Sequence, residues 1–216
     1  MKLPAVLSAC LMLVAACAST PTQPGQDQGE GRGPDRPGTV ALQESNVDVD
    51  TPELRTQKQQ AGIEDCARGE ATPYDGEDAL PDVTLPCLGG GPEVTLTELR
   101  GPLVINLFAQ WCGPCRAELP YYQQLHEQGG DKVRVLGIDY LDTQPAGALE
   151  LAAETGVTFP LLADPSGVLR TELRVRGLPG VVFVDGDGRV TEVAFTIVRD
   201  YAELTDLVEE HLGVRL

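Results

Sequence analysis

Positive charge is scarce in this chain: 16 Lys and Arg stand against 33 Asp and Glu, a formal net charge of -17. Nucleic acid is thereby excluded as the main partner, because phosphate binding needs clustered cations. A polybasic grip on anionic lipid is excluded for the same reason. The acids are spread along the chain rather than gathered in a tail, a pattern that serves solubility. Histidine is nearly absent, with two residues, and the six cysteines (10, 17, 66, 87, 112, 115) form only one closely spaced pair. A zinc site needs a second Cys or His pair, so no metal is expected. No apolar run is long enough to span a bilayer, and no aromatic residue precedes Tyr74. Neither internal repeats nor heptads are present.

Leu3 to Ala16, which carries no charge, follows Lys2 and has the length of the apolar core of an export signal. Two endings fit. Val14-Ala15-Ala16-Cys17 resembles a bacterial lipoprotein signal (residues 1–16), with Cys17 as the lipidated first residue and the lipid as the membrane anchor. Ala16-Cys17-Ala18 also fits the small-x-small rule of ordinary secretion. On either reading Cys10 is lost and the mature chain works outside the cytoplasm, where disulfides persist. Residues 17–62 read as a disordered tether. Nine of the 21 positions from Ala18 to Gly38 are Gly or Pro, and such a stretch buries too little apolar surface to offset its ordering entropy.

From residue 63 to 216 the pattern is that of a folded α/β domain. Pro102–Ala109 reads as a central strand, apolar on both faces, and Cys112 to about Gln128 as a helix. Val133–Asp139 is a second central strand. Weaker helices follow around 145–155 and 165–174. Val181–Val184 and Val190–Phe195 flank Asp185-Gly186-Asp187-Gly188, a hairpin signal. A last helix begins at Asp200, with Glu203 placed for a capping box and Leu204, Leu207, Val208 and Leu212 in one stripe. A mixed sheet covered by helices on both faces satisfies this order.

The chemistry is concentrated in Trp111-Cys112-Gly113-Pro114-Cys115, where a central strand ends and a helix begins. A helix N-terminus presents unpaired N–H groups and partial positive charge, both of which stabilise a thiolate on the first cysteine. The second cysteine, one turn further in, is placed to resolve a mixed disulfide. The competing readings, half a zinc site or a structural disulfide, do not explain the strand-turn-helix setting. Such a dithiol works without a cofactor.

The run Trp111-Cys112-Gly113-Pro114-Cys115-Arg116-Ala117-Glu118-Leu119-Pro120 resembles the thioredoxin superfamily, and within it the extracytoplasmic TlpA/ResA-type thiol-disulfide oxidoreductases. The resemblance covers about Pro81 to Leu216. It implies a thioredoxin-like mixed β-sheet flanked by helices, with an N-terminal hairpin at Pro81–Pro86 and a central insertion around 141–165. It implies that Glu118 is a buried proton exchanger, in place of the strand Asp of ordinary thioredoxin, whose position here is Asn106. Pro120 matches the proline that kinks the active-site helix. Leu178-Pro179-Gly180 matches a cis-proline that faces the dithiol, so that Trp111, Gly113, Pro114, Leu178 and Pro179 form the substrate-docking groove. Phe108, Gln110 and Leu178 depart from the residues usual in relatives. The resemblance further implies protein disulfide or dithiol substrates, apocytochrome c among them, and a membrane electron carrier of the thiol-relay type. The reverse direction, oxidation of folding proteins, is the alternative. A peroxiredoxin-type peroxidase would need Thr or Ser where Ala109 stands, and a non-enzymatic binding lipoprotein would not need both cysteines and Glu118.

Cys66 and Cys87 flank the expected hairpin. In an oxidising compartment a structural disulfide is the first reading, worth about 3 kcal/mol by loop-closure entropy. A second redox pair is the other, but no basic neighbour in sequence favours it.

Overall fold

The computed structural model describes residues 45–69 and 71–216. The expected signal peptide, Cys17 and residues 17–44 of the expected tether lie outside them. The last part of that tether is instead a helix, α1 (Pro52–Ala61). Thr51 caps it, its Oγ1 accepting from the Leu54 N–H at 3.3 Å; Pro52 occupies the first turn and Gly62 ends it at φ 71°. These are ordinary start and stop signals. Leu54 is buried, as are Val49 before the helix and Ile63 after it. The polar residues of Pro52–Ala61 lie mostly on the solvent face. The helix is held by a few anchors rather than by an apolar stripe.

The sheet has five strands in the order β5-β4-β3-β6-β7. At its centre is β3 (Leu103–Phe108), buried along its whole length as its apolar run requires. It pairs parallel with β4 (Arg134–Tyr140) and antiparallel with β6 (Gly180–Val184). β7 (Val190–Ala194) joins β6 through the expected hairpin, in which Asp185 Oδ1 accepts from the N–H groups of Asp187 and Arg189. The mixed α/β sheet of a thioredoxin-like fold is therefore present.

Side chains of β3 alternate between two core clusters. Val104 and Phe108 pack with α2 (Gly113–Gly129), α3 (Pro145–Thr155) and α5 (Tyr201–Leu212); Leu103, Ile105 and Leu107 pack on the opposite face. The second face is covered by a short hairpin, β1 (Thr84–Leu85) with β2 (Val94–Thr95), and by α4 (Leu169–Glu172). The first strand of this hairpin lies within the expected Pro81–Pro86, and its second strand lies beyond that segment.

The segment around 141–165 is built into the sheet. After α3 it forms β5 (Leu161–Asp164), parallel to β4. Four residues between Pro160 and Pro165 are too few to show a period, so this strand was not legible in sequence. The helix expected around 165–174 shrinks to α4, because Gly167 adopts φ 70° and a turn built on Asp164 precedes it. Asp164 accepts from Ser166 Oγ and from the N–H groups of Val168 and Leu169.

Candidate active site

Cys112 is the N-cap of α2, and its Sγ accepts from the Cys115 N–H at 3.2 Å. The two cysteines are joined in a disulfide with their Cα atoms 5.3 Å apart. Cys112 retains slight exposure, whereas Cys115 has none. This asymmetry is what an attacking and a resolving sulfur require. The helix terminus supplies the electrostatic stabilisation for a thiolate at Cys112.

Glu118 lies one turn beyond Cys115 and is completely buried against the sheet. Its Oε1 accepts from Asn106 Nδ2 at 3.1 Å, and its Oε2 accepts from the Val198 N–H at 3.1 Å. Burial raises its pKa to about 7; the hydrogen bonds from Val198 and Asn106 oppose that rise, and the charge of Glu203 adds to it. Tyr122, one turn further along and also buried, is held well above the usual phenol range by desolvation first and by the Glu118 charge next. Asn106 cannot exchange a proton, yet its amide serves the carboxyl that can. Its Oδ1 has no partner among the described residues, so the amide can turn to accept from a protonated Glu118.

Trp111 is 56% exposed at the mouth of the site. Beside it runs a groove of about 430 Å³, lined by Leu141, Arg170, Arg176 and Leu178 among others. The Leu178–Pro179 peptide is cis, as expected, and so is Gly101–Pro102, which carried no such expectation. At Gly113 an added Cβ would meet open space, and Pro114 completes the first turn of α2. Pro120 lies inside the same helix.

Two features were missed in sequence. One is Asp142, 3% exposed, whose Oδ2 accepts from the Gln110 N–H at 2.8 Å and whose Oδ1 accepts from the Gln144 N–H at 2.9 Å. It fixes the loop that carries Trp111 and Cys112. Beside it Asp139 is buried, its pKa driven well above the carboxylate range by desolvation and then by the Asp142 charge. The other is the backbone of Val198. Both act across distances of 32 and 80 residues in the chain, which no local pattern reveals.

Cys66 and Cys87 are also joined in a disulfide, with Cα atoms 5.9 Å apart. Cys87 bridges to Leu162 of β5, and the flanking residues hydrogen-bond along that strand: Leu88 N–H to Leu161 O and Ala163 N–H to Pro86 O.

Comparison with known proteins agrees with this geometry. The AhpC/TSA family model matches residues 77–193, more than half of the chain. The thiol:disulfide interchange protein DsbE of Pseudomonas fluorescens biotype C is 36% identical over 115 residues, 52% of this chain and 62% of that protein. This chain thus spans less than two thirds of that relative's length. HelX of Rhodobacter capsulatus, also a thiol:disulfide interchange protein, is 34% identical over 56% of this chain and 68% of its own. The structure of MTB dsbF in its mixed oxidized and reduced forms superposes with a TM-score of 0.53 at 27% identity, covering 60% of this chain and 94% of that one. The chain belongs to the AhpC/TSA family, and within it to the thioredoxin-like thiol-disulfide oxidoreductases.

Proposed function

We propose that the protein is an extracytoplasmic thiol-disulfide oxidoreductase, anchored to the membrane through lipid on Cys17, that reduces disulfides of exported proteins such as apocytochrome c. The observation that carries this reading is a helix-capping Cys112 paired with a fully buried Cys115, one turn from a buried carboxyl whose pKa is about 7. In the reduced enzyme the Cys112 thiolate attacks one sulfur of the substrate disulfide, and the other substrate sulfur leaves as a thiolate. Glu118 takes the proton from Cys115. The Cys115 thiolate then attacks Cys112 Sγ, which forms the Cys112–Cys115 disulfide and releases the second substrate sulfur. A membrane carrier of the thiol-relay type restores the dithiol by the reverse exchange, and Glu118 returns its proton. The groove beside Trp111, lined by Leu178 just before the cis Pro179, seats an extended segment of the substrate.

Among the described residues no helix is long and apolar enough to cross a membrane. The proposed attachment is the lipid on Cys17, and Cys17→Ser should move the protein from the membrane fraction to the soluble one. A wild-type chain already soluble in the medium would mean ordinary secretion instead. For the reaction, Cys115→Ser should trap exported apocytochrome c as a mixed disulfide through Cys112. Recovery of no cysteine-containing exported protein, together with no turnover of insulin disulfides by the wild type, would refute the activity.

A further inference from the structure

Lys58 is only 3% exposed, although it lies on a helix whose other residues are mostly in solvent. Its ammonium has three N–H donors, and each has an acceptor: Gly90 O at 2.8 Å, Asp65 Oδ1 at 3.0 Å and Cys87 Sγ at 3.3 Å. A buried ammonium needs strong acceptors, and a neutral disulfide sulfur is a weak one. A thiolate at the same place would be a strong one. Cys66 is situated differently. Its Sγ is 3.2 Å from the Leu161 carbonyl oxygen, where an S–H would donate. The surroundings therefore distinguish the two sulfurs. On reduction Cys87 is placed to be the thiolate and Cys66 the thiol.

Access is also one-sided. Cys66 contributes to the wall of a cavity of about 260 Å³ that Val94, Leu99 and Val133 help to line. Cys87 lies under the glycine turn 89–91, where a Cβ on Gly91 would come within 3.1 Å of its sulfur. We infer that Cys66–Cys87 is a second redox-active disulfide, reduced by a small dithiol that attacks Cys66 from this cavity, with Lys58 stabilising Cys87 as the leaving thiolate.

A thiolate of the small dithiol bonds to Cys66 Sγ; the Cys66–Cys87 bond breaks and its electron pair goes to Cys87. The second thiol of the reductant loses its proton and attacks its own sulfur in the mixed disulfide. The reductant leaves as a cyclic disulfide, and Cys66 takes up a proton. Two electrons have passed to the protein, and the reductant has been oxidised by two. The two disulfides belong to different core clusters, Cys66 and Cys87 in one and Cys112 and Cys115 in the other, so the second pair is reduced on its own account rather than through Cys112.

The test uses the full chain, folded, with dithiothreitol as the reductant. Samples are trapped with iodoacetamide over time, each cysteine is read by mass spectrometry, and circular dichroism follows the fold. Cys66–Cys87 should be reduced while the chain stays folded. Lys58→Met should slow this more than tenfold and Lys58→Arg should recover most of it, with Cys112–Cys115 reduced at the wild-type rate in both. Asp65→Asn, at an exposed side chain, is the second variant: with the competing carboxylate gone, reduction of Cys66–Cys87 should be faster than in the wild type. Resistance of Cys66–Cys87 until the chain unfolds would overturn the inference. So would an unchanged rate in Lys58→Met, or an unchanged or slower rate in Asp65→Asn.

Discussion

Glu118 shows how one buried residue couples chemistry to stability. Its carboxyl titrates near 4.5 in the unfolded chain and about 7 in the folded one, because burial disfavours the charge. The folded state therefore holds a proton more tightly than the unfolded state. The contribution to stability is undiminished below about pH 4.5 and is lost as pH rises to 7. By linkage the loss approaches roughly 3 kcal/mol above pH 7. Glu118→Gln removes this dependence while keeping the hydrogen-bond acceptor. The Asn106 amide, whose Oδ1 has no partner among the described residues, can turn to receive the new N–H. Denaturant unfolding of the oxidised proteins should show the variant gaining on the wild type between pH 5 and pH 8, by up to roughly 3 kcal/mol. Disulfide exchange around neutral pH should be slower in the same variant. A stability difference independent of pH would show that Glu118 is not the group titrating in this range. The cysteines separate by the same reasoning. Cys112 caps the helix and keeps some exposure while Cys115 has none, so in the reduced protein iodoacetamide at pH 7 should modify Cys112 at least tenfold faster. Faster modification of Cys115 would reverse the two roles.

At the scale of elements, legibility followed the length of the apolar pattern. β3, β4 and the β6–β7 hairpin carry runs or turns that fix their type, and α2 and α5 carry caps and long faces. β5 has four residues and α4 has four, below the length at which a period is visible. The case of α1 is different. Its caps were readable at Thr51, Pro52 and Gly62, but its apolar content was not, since Leu54 is its one buried apolar residue. The same oversight hid Lys58 from the reading of Cys87. The dithiol and Glu118 were legible because their spacing is local to one helix; the partners Asn106, Asp142 and Val198 depend on tertiary contact. The packing of α1 can be tested directly. Leu54→Ala should cost about 2–5 kcal/mol, the range for a buried leucine, in chemical denaturation. A chain beginning at residue 45 should unfold as the full chain does, and one beginning at residue 63 should be markedly less stable. Equal stability of the chains beginning at 45 and 63 would restore the tether reading of this segment.

For the molecule as a whole, charge acts at longer range than the groove. A net charge of -17 gives a field that draws basic partners and repels acidic ones, and that field is screened over about 8 Å at physiological ionic strength. Against this background Arg170 and Arg176 put two cations at the groove beside Trp111. Arg176 is held over the Phe195 ring, with its guanidinium carbon 5.2 Å from the ring centroid. The whole-molecule field governs the encounter, while the arginines act only after contact, on the backbone carbonyls or acidic side chains of the docked segment. Ionic strength and local mutation therefore separate the two. With a basic disulfide-bonded substrate, the second-order rate of reduction should fall about tenfold between 0.01 M and 0.15 M salt, as electrostatic steering does. With an acidic substrate it should stay level or rise. Replacing both arginines by Gln should change the rates for the two substrates while leaving the salt dependence for the basic one nearly intact, because the net charge barely moves. Stopped-flow measurement following Trp111 fluorescence, the only tryptophan of the chain, reads both effects. Equal salt dependence for basic and acidic substrates would show that the overall charge serves solubility alone and that partner choice lies entirely in the groove.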